Sequence, residues 1–232
     1  ATTPWSQQSY IKAANNDSSD FFGASVSISV DSIAVGATGE DSSQSIITNS
    51  TAASSLDDNL TSGAVYVYDR SGSTWAQDAY IKASNSEAGD SFGASVSIDA
   101  DTIAVGATGE DGGTIAIING MTSSADNDNS SSGAVYVYKR YGGFWIQEAY
   151  IKAANSEVND SFGTSVSIDG DTLAVSAVGE DSGWDNITNS TTATANDNTS
   201  ASGAVYVYKR TGSSWAQEAY IKAANSDNDS QF

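Results

Sequence analysis

Carboxylates recur through this chain at a fixed spacing of seventy residues. Glu40-Asp41, Glu110-Asp111 and Glu180-Asp181 form one set, and Asp20, Asp90 and Asp160 form another. Repeated oxygen-rich clusters suit Ca2+, which takes six to eight oxygen ligands. These nine residues are therefore candidate metal ligands, and Ca2+ is the one cofactor expected. The competing reading is that short Gly-Glu-Asp and Asp-Ser turns only cap strands and solvate loop bases. The chain has no His and no Cys. That removes Ser-His-Asp, Cys-His and His-metal chemistry. A carboxylate pair could hydrolyse glycosides, but near-identical carboxylates in every copy fit a structural or ion-binding role better. No phosphate-cradling Gly loop is present. The chain is expected not to be an enzyme.

Aromatic residues follow the same spacing. Trp5, Trp75, Trp145 and Trp215 recur, as do Tyr10, Tyr80, Tyr150 and Tyr220. A Trp on the same strand of every copy reads as packing between copies. Trp184 has no counterpart, which makes it the candidate contact residue. Asn49, Asn129, Asn186, Asn189 and Asn198 open Asn-x-Ser/Thr sequons and are candidate glycosylation sites. Ser/Thr/Asn-rich loops also produce sequons by chance.

The elements that must position these groups are repeated strands. SGAVYVY recurs at 62–68, 132–138 and 202–208, and AYIKA at 79–83, 149–153 and 219–223, with SYIKA at 9–13. A fixed period means one supersecondary unit copied in tandem. Each copy reads as four strands. The first is FGASVSI or FGTSVSI, and the second SIAVGA, TIAVGA or TLAVSA. The third is GAVYVY and the fourth is of the WAQEAYIKA type. Period-two alternation and β-branched and aromatic enrichment favour an all-β chain. Asp169-Gly170 signals a tight hairpin. Between the second and third strands lies an insertion of 21 residues, at 42–62, 112–132 and 182–202. Without it the unit has about 49 residues, close to a four-stranded propeller blade. Blade one is read as 22–91, blade two as 92–161 and blade three as 162–231. Residues 1–21 carry an extra N-terminal strand of the fourth type at 5–13.

Phe22-Gly23 with Gly36-Ala37, and Phe92-Gly93 with Gly106-Ala107, resemble the FG-GAP repeat family, the blade type of the integrin α-subunit head. The resemblance implies an extracellular or cell-surface β-propeller used in adhesion or recognition. Thr38 and Thr108 stand where the family often has Pro, and the third copy has Ser176-Ala177. The family's Asp-x-Asp-x-Asp-Gly calcium loop is missing. A short turn, Asp99-Ala100-Asp101 in the second copy, takes its place.

Twenty-nine acidic and nine basic residues give a net charge of −20. Nucleic acid and anionic membranes need a positive surface, so neither is an expected partner. No apolar run approaches the roughly 20 residues that span a bilayer. Antiparallel order sorts the charge. The long loops and the links between blades share one acidic end, while Arg70, Lys139-Arg140 and Lys209-Arg210 lie at the other. Ala1, Thr2, Thr3 and Pro4 read as a mature end left by signal cleavage.

Three blades plus a spare strand do not close a ring of four to eight blades. The expected partners are other copies of the chain, in a dimeric ring or an end-to-end fibre, or further blades of a longer chain. An extracellular protein or glycan ligand is also compatible. The leading expectation is a non-catalytic adhesion or recognition protein that uses its acidic loops. The alternative is a structural subunit of a surface filament or matrix.

Overall fold

The computed structural model describes residues 5–194, 196–229 and 231–232. Residues 1–4, read above as a mature end, lie outside the described residues. Among those described no helix forms, and three antiparallel sheets follow the three sequence copies.

The first sheet runs β1 (Phe22–Ser29), β2 (Ser32–Ala37), β3 (Ala64–Ser71) and β4 (Thr74–Ile81) in spatial order. The second has β5 (Phe92–Asp99), β6 (Thr102–Ala107), β8 (Ala134–Tyr141) and β9 (Phe144–Ile151). The third has β10 (Phe162–Asp169), β11 (Thr172–Ala177), β13 (Ala204–Thr211) and β14 (Ser214–Ile221). The long insertions carry short strands that the sequence pattern did not indicate. β7 (Ile117–Asn119) and β12 (Ile187–Thr188) pair with the outer edges of β9 and β14, and in the first copy Thr48 makes a single bridge to Tyr80. Each loop thus folds back over its own sheet and covers an outer edge that would otherwise stay unpaired.

Alternation along the third strand gives every sheet two unlike apolar faces. Val65, Val67, Ala79 and Ile81 pack against the next blade, meeting Phe92, Val96, Ile98, Tyr136, Tyr138 and Trp145 in one buried cluster. The same arrangement joins the second blade to the third. First strands of successive blades lie against each other, while fourth strands barely touch. The blades therefore splay like those of a propeller, and the fan of three is open.

The Phe-Gly and Gly-Ala signatures meet at these junctions. A side chain on Gly36 would stand 2.1 Å from the carbonyl of Gly93, and one on Gly106 would stand 2.0 Å from that of Gly163. Gly93 and Gly163 take φ of +90° and +92°, at a bulge where the register of the first strand slips. The Asp169-Gly170 turn forms as the sequence signals, with Gly170 at φ 55°. In the other two copies Val30 and Ala100 occupy that left-handed position, at 54° and 48°.

The N-terminal segment differs from expectation. Residues 5–13 form no strand, although they carry the fourth-strand sequence. Among the described residues no third-type strand lies beside them to supply ladder hydrogen bonds. They still keep the fourth-strand register: the Tyr68 hydroxyl donates to the Lys12 carbonyl at 3.0 Å, as Tyr138 does to Lys82 at 3.4 Å. Ile11 and Ala13 cover part of the first blade.

Two substitutions check this account. A left-handed non-Gly residue costs about 1–2 kcal/mol, so Val30→Gly should raise unfolding stability by about 1 kcal/mol in urea titration. Gly106→Ala should lower it by more than that gain, because its Cβ meets backbone that cannot swing away.

Candidate recognition face and its buried anchors

Each long loop leaves the second strand at a Gly-Glu-Asp triplet, and the structure shows how the triplet closes the loop. The carbonyl of Glu40 accepts from Gly63 N at 2.8 Å, and the Asp41 carboxylate accepts from Thr61 N at 2.7 Å. Equivalent bonds tie Glu110 to Gly133 and Asp111 to Ser131, then Glu180 to Gly203 and Asp181 to Ala201. The glycine before each Glu presses on the preceding link. A Cβ on Gly39 would lie 1.9 Å from the Ser19 carbonyl.

The Glu side chains point into the protein and are 2% exposed. Glu40 receives the Lys82 ammonium at 2.7 Å, the Tyr80 hydroxyl at 2.7 Å and the Asn15 amide at 3.0 Å. Lys82 also reaches Ser62 Oγ at 2.7 Å. The third copy repeats this knot, with Glu180 bound by Lys222 at 2.5 Å, Tyr220 at 2.8 Å and Asn155 at 2.8 Å. The middle copy differs. Glu110 is held by Asn85 at 2.9 Å, Tyr136 at 2.9 Å and Tyr150 at 3.2 Å, and Lys152 bonds Ser132 at 2.6 Å. Burial lowers the Lys152 ammonium to about 8 and raises the Glu110 carboxyl. One knot thus joins the link from the preceding blade, the loop base and strands three and four.

Asp20, Asp90 and Asp160 cap the link turns. Their carboxylates accept from Asp17, Glu87 and Glu157 N at 2.8, 2.7 and 2.8 Å. Desolvation, with Glu110 or Glu180 nearby, pushes Asp90 and Asp160 up to about 7. The nine carboxylates expected as Ca2+ ligands are therefore distributed among protein donors, with a lysine ammonium where a cation would sit on Glu40 and Glu180. This donor set does not fit a calcium ion. Among the described residues no three Asp, Glu, His or Cys groups gather to hold a metal. The Glu–Lys pairing was missed by sequence reasoning. Its signal was present, since Lys82 follows Glu40 by 42 residues and Lys222 follows Glu180 by the same interval.

Of the four Trp residues expected to pack between blades, Trp145 and Trp215 do, whereas Trp5 is fully exposed and Trp75 is only partly buried, because no blade precedes the first among the described residues. Trp145 and Trp215 are buried, each under an arginine, with the guanidinium carbons of Arg140 and Arg210 5.5 and 5.4 Å from the rings. Those arginines are engaged at the blade junctions. Arg140 bridges to Asp69 and Asp78, and Arg210 to Glu148 and Asp171. The cations expected as one exposed basic end are thus largely paired.

The sequon residues separate into two groups. The Asn49 side chain clasps the backbone of Trp145, accepting from its N at 2.7 Å and donating to its O at 3.2 Å. The Asn129 amide donates to the Ser156 carbonyl at 3.1 Å. Asn186, Asn189 and Asn198 lie exposed on the third loop.

Beyond their bases the loops are exposed and carry apolar side chains in an acidic frame. Ile46, Ile115, Met121, Ile187 and Trp184 are all exposed, the last at 41%. Between the first loop and the second blade lies a cleft of about 270 Å3, lined by Ile47, Asn49, Met121, Tyr138 and Trp145. A sister cleft of about 240 Å3 lies one repeat on, lined by Ile117, Asn119, Thr191, Tyr208, Trp215 and Gln217. In it the buried Gln217 Oε1 has no protein partner.

A splayed set of four-stranded blades with Phe-Gly and Gly-Ala contacts at each junction defines a β-propeller-type repeat protein. The FG-GAP repeat profile matches residues 5–68, 75–138 and 145–208, so the chain belongs to the FG-GAP repeat family. No curated protein sequence matches the chain significantly.

Removing one partner of a buried ion pair costs about 3–5 kcal/mol. Lys82→Met should therefore lower stability by about that much in urea titration, and Glu40→Gln in the same chain should recover part of the loss. The aspartates set a pH dependence. Unfolded Asp ionises near about 3.9, so between there and about 7 the folded chain binds more protons. Stability from Asp90 and Asp160 is thus present at low pH and declines as pH rises through about 7. The urea midpoint should fall over that window, and the double variant Asp90→Asn/Asp160→Asn should flatten the fall.

Proposed function

We propose that this chain is a non-catalytic extracellular repeat protein that works by adhesion or recognition, with the long-loop end of the blades as its contact surface. One observation carries the reading. Three loops with buried, hydrogen-bonded bases hold out a set of exposed apolar side chains, including Trp184 and Ile187, on a chain with net charge −20. Rigid bases lower the ordering cost of binding. Isolated apolar anchors within a polar rim are the usual anatomy of a contact patch. The repeated inter-blade clefts offer seats for side chains of a protein partner or for a small glycan unit. FG-GAP repeats are typical of extracellular or surface proteins, which fits exposed sequons on the third loop and the lack of any need for cysteine.

The reading is tested by binding of fluorescently labelled protein to intact cells and to immobilised glycans and extracellular-matrix proteins. Trp184→Ala and trimming of the loop tip within 182–202, with the base contacts of Thr199, Ala201 and Ser202 left in place, should each reduce capture at least about tenfold, the scale of one contact residue, with circular dichroism unchanged. Equal capture by all three proteins would exclude the loop face as the contact surface.

A further inference from the structure

The middle copy departs from its neighbours at four positions that the fold brings to one place. Met121 stands where the other copies have Thr51 and Thr191. Tyr141 replaces Ser71 and Thr211, Phe144 replaces Thr74 and Ser214, and Ile146 replaces Ala76 and Ala216. Each change puts a large, mainly apolar side chain where the repeat carries a small or hydroxyl one.

The strands explain how the four meet. Met121 follows the short strand β7, which pairs with the outer edge of β9. Ile146 lies on β9, and Tyr141 and Phe144 are partners across the β8–β9 turn. Fourth strands of successive blades barely touch, which leaves a wedge between the second and third blades. The wedge holds a cleft of about 310 Å3, lined by Met121, Tyr141, Ile146 and Glu148 of the middle copy and by Ser213 and Ser214 of the third. Met121 and Ile146 also line the cleft of about 270 Å3 between the first loop and this blade, so the two clefts meet at that pair.

Packing within the chain does not call for these side chains. Met121, Tyr141 and Phe144 are 69%, 49% and 61% exposed, and none of the four belongs to a core cluster. Within the chain the Tyr141 hydroxyl reaches Glu148 Oε1, at 3.3 Å. The first and third blades form the same hairpin in the same register with small residues in place. Aromatic and Met side chains gathered at a surface are, however, the types enriched where proteins meet.

The chemistry of the wedge selects its occupant. Met and Ile offer a sugar neither a stacking platform nor a hydrogen bond, but they adapt well to the apolar side chain of a protein. The acids are Glu148 in the wedge and Glu87, which lies with Met121 along an adjoining cleft. The nearby Arg210 is held by Glu148 and Asp171. With a net charge of −20, the chain attracts a basic partner and repels an acidic one. We propose that the outer edge of the middle blade is a second docking site, which takes a protein segment carrying Phe or Leu between Lys or Arg residues. The apolar side chain enters the wedge against Tyr141 and Ile146, and the basic flanks meet the acidic surroundings. The site uses no residue of the third loop, so it stands or falls separately from the Trp184 surface.

Fluorescence anisotropy of the full chain with short labelled peptides tests the proposal. The probe carries a central Phe flanked by Lys in a Gly-Ser frame, and the controls are its Ala-centred and Glu-flanked counterparts. The chain should bind the probe at least about tenfold more tightly than either control. Met121→Thr/Tyr141→Thr/Phe144→Ser installs the third copy's own residues at the three exposed positions. This triple variant should lose the preference while its urea midpoint stays at the parent's value, since exposed substitutions leave stability nearly unchanged. Trp184→Ala should bind the probe as the parent does. Binding that survives the triple change, or that ignores the Phe or the Lys, would overturn the proposal. So would a lowered urea midpoint of the triple variant, which would make the residues structural. A glycan-array signal lost in that variant would also overturn it, because the occupant would then be a sugar.

Discussion

A buried carboxylate that must be satisfied governs the rest of this molecule. Glu40 and Glu180 sit where water cannot reach, and an unpaired charge there would be strongly destabilising. Satisfying it takes the lysine that directly follows strand four, a tyrosine from that strand and an asparagine from the link of the preceding blade. Those donors are far apart in sequence, so the charge can be buried only when blade, link and loop base are all in place. Desolvation offsets much of the attraction within such a pair, so its net contribution to stability is far smaller than the cost of breaking it. The interaction holds a 21-residue loop by its base and leaves the tip free to vary. The loop tips differ widely among the copies while their bases scarcely differ, which is the division expected of a scaffold that displays contact residues.

Backbone contact between blades is the second constraint. Where Gly36 meets Gly93 and Gly106 meets Gly163, the chains approach too closely for any side chain. That closeness lets the Val face of one sheet meet the Tyr and Trp face of the next in one buried cluster. It also explains why the one departure, Ser176, falls on the blade whose outer face has no neighbour among the described residues. There the Cβ has room, and its hydroxyl accepts from Ser165 N at 3.0 Å.

Much of the architecture was legible from periodicity. Strand order, the tight turn at Asp169-Gly170 and the packing role of Trp145 and Trp215 all follow from alternation and repeat spacing. These depend on local backbone preference and on which side chains avoid water, and both are written residue by residue. The site was less legible. A Glu-Asp pair beside a polar loop looks the same in sequence whether it faces solvent, a cation or a lysine. Asn49 looks like a glycan acceptor until its amide is seen around the backbone of Trp145. The short β7 and β12 strands escaped notice because two or three residues carry no measurable period.

The chain's sequence was sufficient to establish the unit, its four strands and its membership of a propeller-type repeat family, because tandem identity and period-two patterning survive without three-dimensional context. Only the tertiary structure decided what the repeated charges do. Their partners come from other blades, links and loops, dozens of residues away, and the balance between desolvation and pairing exists only once those parts have met. The same reason applies to residues 5–13. They carry a strand sequence and keep a strand's register, yet form none, because a strand needs a neighbour that no sequence pattern can supply.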